Sequence, residues 1–477
     1  IVSIVDSITK YAVTIMEPAD AVYCIEKALY EAQHGNPGPV WLDIPMDVQE
    51  AEINPNNLKH FMPEQDLKTE CTEEEMNYAV RALEEAERPI IIVGQGVRLA
   101  GACKELNEFI DTYQIPIVGT RMGWDIYPRD SNLNIGLIDT RGTRAGNFAA
   151  ENADTVICIG SRLSMMTTGY NYDLFLRGAK KFIVVDIDEE EHKKGTVHID
   201  KIINADARDF ISKLKGMELN DISAWRDKCV YWKQKWPMIT KEHEDDSKGI
   251  SKFAFIGVLN KYLKQDSVVT TDAGATTEIP MQALNFTSSK QRYLGSAAQC
   301  EMGYSIPAAI GASVGRDKKE IFCIVGDGSF QLNIQELQTI VTQKLPIKVF
   351  VWNNDGYGTI RGHQKTIFKG RYVGVDEASG TAFPDLKKIA MAYGIEYKSA
   401  VTLKELDKVM KDVIGKTAPV IVDVRCWREE FNPIAKAQMR MEDGTRVAMP
   451  LEDMAPFIDR EEFVKEMIVE PIRWWEK

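Results

Sequence analysis

No apolar run in the 477 residues reaches the roughly 18 that a membrane-spanning helix needs, and no charged-then-apolar leader opens the chain. Paired metal-type cysteine spacing is missing as well: the eight cysteines, at 24, 71, 103, 158, 229, 300, 323 and 426, are scattered. Cys158 and Cys323 fall inside apolar runs that read as buried strands. The set therefore reads as reduced core thiols, and a cytoplasmic location is expected. An excess of positive charge is also absent. With 71 acidic against 58 basic residues the net charge is -13, which argues against nucleic acid and against polybasic membrane attachment. There is no internal repeat and no low-complexity tract.

What is present is a chain long enough for about three domains with large buried cores. A helical pattern over 19 to 33, a turn at Gly35-Asn36-Pro37-Gly38 and a strand over 39 to 45 form a first stretch, 1–50. One helix and one strand cannot bury a core by themselves. A polar, proline-containing linker follows to Thr69. Thr72 and Glu75 form a capping box that opens a helix to about Glu87. Strands at 89–93, 115–119, 155–160 and 181–188 alternate with helical segments, giving a central α/β domain over 70–215. A charged, tryptophan-containing connector, 224–247, leads to a third domain at 249–425. The tail, 426–477, carries the turn signal Glu442-Asp443-Gly444, as a closing segment or lid would, and its Arg473-Trp474-Trp475 reads as a docked tail or a mobile end rather than an interaction motif.

The densest chemistry is Gly326-Asp327-Gly328-Ser329 followed by Asn353-Asn354. Asp327 and Asn354, 27 positions apart, offer two hard oxygen ligands of the kind magnesium takes, and Gly326, Gly328 and Ser329 let backbone amides approach a diphosphate. The runs 321–325 and 346–352 read as buried strands that deliver both pieces to one sheet edge, where ligands of open parallel sheets gather. Between them 333–343 has helical periodicity, with Asn333 as its expected cap.

Together these residues resemble the cofactor signature of thiamine diphosphate enzymes, and the flanking sequence is similar to the acetolactate synthase large-subunit branch. Asp272-Ala273-Gly274-Ala275-Thr276 resembles that family's diphosphate loop, and 302–312, from Met302 onward, its segment beneath the cofactor. The resemblance covers nearly the whole chain. It implies an α/β, three-domain architecture of parallel sheets flanked by helices, whose first domain, the pyrimidine-binding one, is represented by its last part only. Magnesium would be held by Asp327, the Asn354 side chain, the backbone carbonyl of Gly356, a water and two diphosphate oxygens. Main-chain amides of Gly274, Ala275 and Ser329 would contact the diphosphate, with the Thr276 hydroxyl nearby. Met302 would wedge between the cofactor rings, and the Cys300 carbonyl would accept from the aminopyrimidine.

The activity implied is loss of carbon dioxide from a 2-oxo acid such as pyruvate and transfer of the acyl carbanion to a second carbonyl. Alternatives are a 2-oxo acid decarboxylase and a non-catalytic cofactor-binding relative. By resemblance the glutamate that activates the cofactor lies in the earlier part of the pyrimidine-binding domain, so the 477 residues by themselves are expected to be inactive. The same resemblance implies a homodimer or homotetramer and leaves a regulatory small subunit open. Gly94-Gln95-Gly96, with Arg98, Gly101, the segment 136–147 and Gly160-Ser161-Arg162, resembles the family's loops along FAD. The pattern then departs: where flavin-dependent members have Arg-Phe-Asp-Asp-Arg-Val-Thr-Gly, this chain has Arg162-Leu163-Ser164-Met165-Met166-Thr167-Thr168-Gly169. FAD is thus an open alternative. Met122-Gly123-Trp124-Asp125 in place of Met-Gly-Lys-Gly, and His363 in place of a tryptophan, leave the acceptor substrate open too.

Overall fold

The computed structural model describes residues 1–63, 69–296, 299–430, 435–436, 438–440, 444 and 446–476. Near the start, β1 (Tyr11–Thr14) pairs in parallel with β2 (Val40–Asp43). The helix Ala21–Gln33 crosses between them, one 3-10 turn later than its expected start. Ile15, Cys24 and Val48 form a small core there. β1 is a strand that the sequence reading missed.

The next sheet has six parallel strands in the order β5-β4-β3-β6-β7-β8: β3 (Pro89–Val93), β4 (Ile117–Gly119), β5 (Asn134–Leu137), β6 (Thr155–Ile159), β7 (Lys181–Asp186) and β8 (Lys201–Asn204). Successive side chains of β3 go to opposite faces, so Ile91 and Val93 enter one core while Ile90 and Ile92 enter another. Both faces are covered, which is why this strand is apolar at every position. The helix Glu73–Glu84 begins at the expected capping box: Glu75 N donates to Thr72 Oγ1 at 3.3 Å and Thr72 N donates to Glu75 Oε2 at 3.0 Å.

A second six-stranded parallel sheet has the order β10-β9-β11-β12-β14-β13. It contains β9 (Val268–Thr270), β10 (Arg292–Leu294), β11 (Ile321–Gly326), β12 (Ile347–Asn353), β13 (Glu396–Ala400) and β14 (Val420–Arg425). Along β11, Phe322 and Ile324 face one core, and Ile321, Cys323 and Val325 the other. Burial pushes the Cys158 and Cys323 thiols above their usual range, so both are inert core groups.

The stretch expected as a connector contains the helix Ser223–Lys235, whose Trp225, Cys229 and Trp232 complete a core on the first six-stranded sheet. Leu451, Phe463 and Met467 of the C-terminal segment enter the same core. Arg144 donates to the carbonyls of Met454 at 3.3 Å and Pro456 at 2.7 Å, and Asn152 Oδ1 accepts from Ile468 N and Val469 N at 2.7 and 2.9 Å. The end of the chain is therefore docked, and Trp474 Nε1 donates to Asp453 Oδ2 at 2.5 Å. Of the turn signal at 442–444, residues 442 and 443 lie outside the described residues. Among the described residues no helix is long and apolar enough to cross a membrane.

Candidate functional site

β11 ends at Gly326 and the chain turns at once into the short helix Asp327–Phe330, so Asp327 stands at the carboxyl edge of the sheet. The adjacent β12 ends at Asn353 and its following loop curls back over Asp327. Asp327 Oδ2 accepts from Asn354 N at 3.1 Å and Gly356 N at 3.0 Å, while Oδ1 accepts from Gly328 N at 2.8 Å. Burial pushes this carboxyl up to about 6, against the three amides that favour its charged form. A divalent cation would remove that conflict. Among the described residues no group of three or more His, Cys, Asp or Glu is placed to hold a metal; a set of one carboxylate, one amide side chain and one backbone carbonyl is of the hard-oxygen kind that suits magnesium.

The glycines around Asp327 differ in what they serve. Gly356 has φ +140°, and a Cβ there would lie 2.1 Å from the Val375 carbonyl, so the backbone itself demands glycine. At Gly328 a Cβ would strike the Tyr357 ring at 2.2 Å. Gly326 is different: its backbone is ordinary and extended, and a Cβ would meet nothing within 4 Å. The protein's own packing gives no reason for glycine at 326. Open space there, beside a buried carboxylate, fits a diphosphate drawn close to the backbone.

Three other segments converge on this edge. Gly274, at φ +63°, precedes the helix Ala275–Ala283, whose first amides and dipole favour an anion. A Cβ on Gly274 would meet Thr359 Oγ1 at 2.6 Å, which places this loop against the helix Gly358–Ile367. Thr276 is buried, its hydroxyl donating to Asp272 Oδ1 and the Ala273 carbonyl, each at 2.8 Å. Asp272 also takes Ala273 N on Oδ1 at 2.7 Å, and on Oδ2 Gly303 N at 3.2 Å and Ser305 Oγ at 3.3 Å. It thereby ties the 272–276 loop to the segment carrying Cys300, at φ +52°, and Met302. Burial raises the Asp272 carboxyl, with these hydrogen bonds opposing the shift. Asn333 is not a helix cap: the helix runs Glu336–Gln343, and Asn333 Nδ2 donates to the Gly303 carbonyl at 3.0 Å. That bond joins the Asp327 segment to Met302's neighbour. Ser329 is buried within the first turn after Asp327.

Met302 is 38% exposed, and Tyr304, Leu332 and Ile360 are exposed with it. Asn353 donates to Asp423 Oδ1 at 3.0 Å. A cavity of about 1010 Å³ opens beside Asp327 and Asp355 along the ends of β12, β14 and β13. His363 is exposed on its helix.

The second sequence-level candidate lies where the strand order of the first six-stranded sheet reverses, between β3 and β6. Gly96 N donates to the Gly160 carbonyl at 2.8 Å, and a Cβ on Gly94 would lie 2.2 Å from that carbonyl. These glycines let the two loops touch. Next to them is a cavity of about 560 Å³ lined by Gly96, Gly160, Ser161, Arg162, Met166 and Asp186 among others. Arg162 is held by Glu191 at 2.5 Å. Gly94 and Arg98 do not line the cavity. Arg98 instead donates to Asp125 Oδ1 at 2.9 Å, and Asp125 Oδ2 accepts from Arg292 at 2.7 Å and Tyr293 N at 2.9 Å. Trp124 is buried on Phe286, ring centroids 5.2 Å apart. Trp124 and Asp125 thus build the contact between the two large sheets, and both are buried in it.

Residues 272–424 match the family model described as thiamine pyrophosphate enzyme, C-terminal TPP binding domain, and 76–214 match thiamine pyrophosphate enzyme, central domain. The chain is 30% identical over 437 residues to the acetolactate synthase large subunit of Porphyra purpurea, covering 89% of this chain and 72% of that protein. It is 30% identical over 472 residues to the probable acetolactate synthase large subunit of Methanocaldococcus jannaschii, covering 96% and 77%. With the chloroplastic acetolactate synthase of Arabidopsis thaliana the identity is 29% over 445 residues, 90% of this chain and 65% of that protein. The chain therefore belongs to the acetolactate synthase large-subunit-like family of thiamine diphosphate-dependent enzymes.

Proposed function

We propose that this chain is a carboligase that takes carbon dioxide from a 2-oxo acid such as pyruvate and joins the remaining acyl unit to a second carbonyl. The observation that carries the reading is the closure of the Asn354–Gly356 loop on Asp327 at the carboxyl edge of β11 and β12. In this reading Asp327, Asn354 and the Gly356 carbonyl hold magnesium. The amides of Gly274, Ala275 and Ser329, with the open face of Gly326, hold the diphosphate. Thiamine diphosphate, when bound, supplies an electron sink for an acyl carbanion.

The remaining work falls to the chain's own residues. Met302 would wedge between the cofactor rings, and the Cys300 carbonyl would accept a hydrogen bond from the aminopyrimidine. Asp272 keeps the segment that carries both groups in register with the 272–276 loop. The exposed apolar side chains of Met302, Tyr304, Leu332 and Ile360 support a homodimer in which a second copy covers the site and excludes water. For FAD the support is divided: Gly96 and Arg162 line the 560 Å³ cavity, whereas Arg98 is committed to Asp125. Flavin absorbance of the purified protein decides that point.

The test is product analysis of the complete enzyme with pyruvate, magnesium and thiamine diphosphate. The proposal expects acetolactate and carbon dioxide in equal amounts. Acetaldehyde with no acetolactate would make it a decarboxylase, and no carbon dioxide release would overturn the catalytic reading.

A further inference from the structure

Arg361 is 1% exposed, in the first turn of the helix Gly358–Ile367, directly beneath the loop that closes on Asp327. Its Nη1 donates to the Asn354 carbonyl at 3.3 Å and to the Arg428 carbonyl at 2.9 Å, and its Nη2 donates to the Asp355 carbonyl at 2.7 Å. Behind it, Asp376 Oδ2 lies 3.7 Å from Nε and accepts from Arg428 Nη2 at 2.5 Å. One guanidinium therefore gathers carbonyls from two separate segments. A rigid planar fork holds the three carbonyls in a fixed geometry, which a flexible ammonium stem fixes less well.

The loop it gathers has an unfavourable shape. Asp355 has φ +54° and Gly356 φ +140°, two consecutive left-handed residues, the first of them not glycine. The amides of Asn354 and Gly356 are spent on Asp327, and the carbonyls of Asn354 and Asp355 on Arg361. The loop is clamped from both sides. Burying a guanidinium is costly, and this one, with Asp376 3.7 Å from its Nε, gives its hydrogen bonds to backbone carbonyls, which points to a task beyond packing.

We propose that Arg361 is a positioning residue that holds the 354–356 loop in its metal-binding shape and so sets the affinity for the divalent cation. Arg361 touches neither metal nor diphosphate in this scheme. The proposal rests on the magnesium reading of Asp327, Asn354 and Gly356 given above.

The test is the magnesium concentration that half-saturates thiamine diphosphate binding in the full chain, read by calorimetry, together with the electron paramagnetic resonance signal of bound Mn²⁺. Arg361→Ala and Arg361→Lys are compared with wild type and with Asp327→Ala. Loss of a pair of charge-assisted bonds to the loop should raise the half-saturating magnesium at least roughly tenfold in both Arg361 variants. The Mn²⁺ spectrum should broaden as the loop loosens. Should the alanine variant fail to fold, the lysine variant, which keeps the charge and most of the volume, carries the test. Wild-type magnesium dependence in either folded variant would overturn the proposal. If Asp327→Ala also retains wild-type dependence, the metal reading itself fails; if only the Arg361 variants retain it, the positioning role alone fails.

Discussion

Replacing Glu466 by glutamine removes the anion on which the docked C-terminal segment is anchored. Glu466 is buried, with 4% of its side chain exposed. Its Oε2 accepts from Lys228 Nζ at 2.6 Å and Trp232 Nε1 at 2.9 Å, and its Oε1 from Lys235 Nζ at 2.8 Å and Tyr231 OH at 3.1 Å. Burial by itself would raise this carboxyl, but the bonds from Lys228, Lys235 and Trp232 outweigh it and hold it at about 2, against an ordinary 4.5. At 1.36 kcal/mol per unit this difference is worth ~3 kcal/mol. Solvent reaches the lysine ends, which are 32% and 24% exposed, and screening reduces the figure to ~2 kcal/mol. Because the folded carboxyl lies below its unfolded value, the stabilisation is complete above pH 4.5 and is lost as the pH falls from there toward 2. Hydrogen exchange of amides in 460–467 reads the local opening. In Glu466→Gln at neutral pH it should accelerate roughly 30-fold. Wild-type exchange, corrected for intrinsic rate, should rise toward the variant's between pH 4.5 and 2. A variant rate within twofold of wild type at neutral pH would refute the reasoning.

Further substitutions separate fold from cofactor site. Gly326→Ala should leave the urea midpoint unchanged, since its Cβ meets nothing, yet weaken thiamine diphosphate binding by at least about tenfold; unaltered affinity would remove Gly326 from the diphosphate cradle. Gly356→Ala puts a Cβ 2.1 Å from the Val375 carbonyl at a left-handed φ and should weaken magnesium-dependent binding by a larger factor; a variant that binds as wild type would show that the loop can relax. Asp272→Asn turns one of two acceptor oxygens into a donor facing N–H or O–H groups, a cost of about 1 to 3 kcal/mol that should lower the urea midpoint. An unshifted midpoint would argue against Asp272 as the tie between its two loops.

The strands carrying the site were legible because they are buried on both faces: Ile321–Gly326 and Ile347–Asn353 lie within a residue of the apolar runs that announce them. β5, with Gly136 inside it, and β8, four residues that begin with lysine and end with asparagine, have no such run, and their pairing comes from the sheet. The helix Ser223–Lys235 shows its apolar stripe only at 225, 229 and 232 among charged neighbours, so it reads as a connector until its core partner is seen. Asn333 has the chemistry of a cap, but the Gly303 carbonyl, 30 positions away, takes its amide. Asp327 and Asn354 could be found from the glycines and strand ends around them. Arg361 gives no signal in sequence, since its partners are backbone carbonyls, and Asp125 gives none because its arginine partners are 27 and 167 positions distant.

The central claim is that this chain holds thiamine diphosphate through a magnesium ion on Asp327. Calorimetric titration of thiamine diphosphate into the full chain, with magnesium and then with excess chelator, for wild type and Asp327→Ala, tests it most directly. The account predicts saturable binding for wild type only with magnesium, and none for the variant under either condition. Equal binding by the two proteins, or binding by wild type that ignores the chelator, would contradict it.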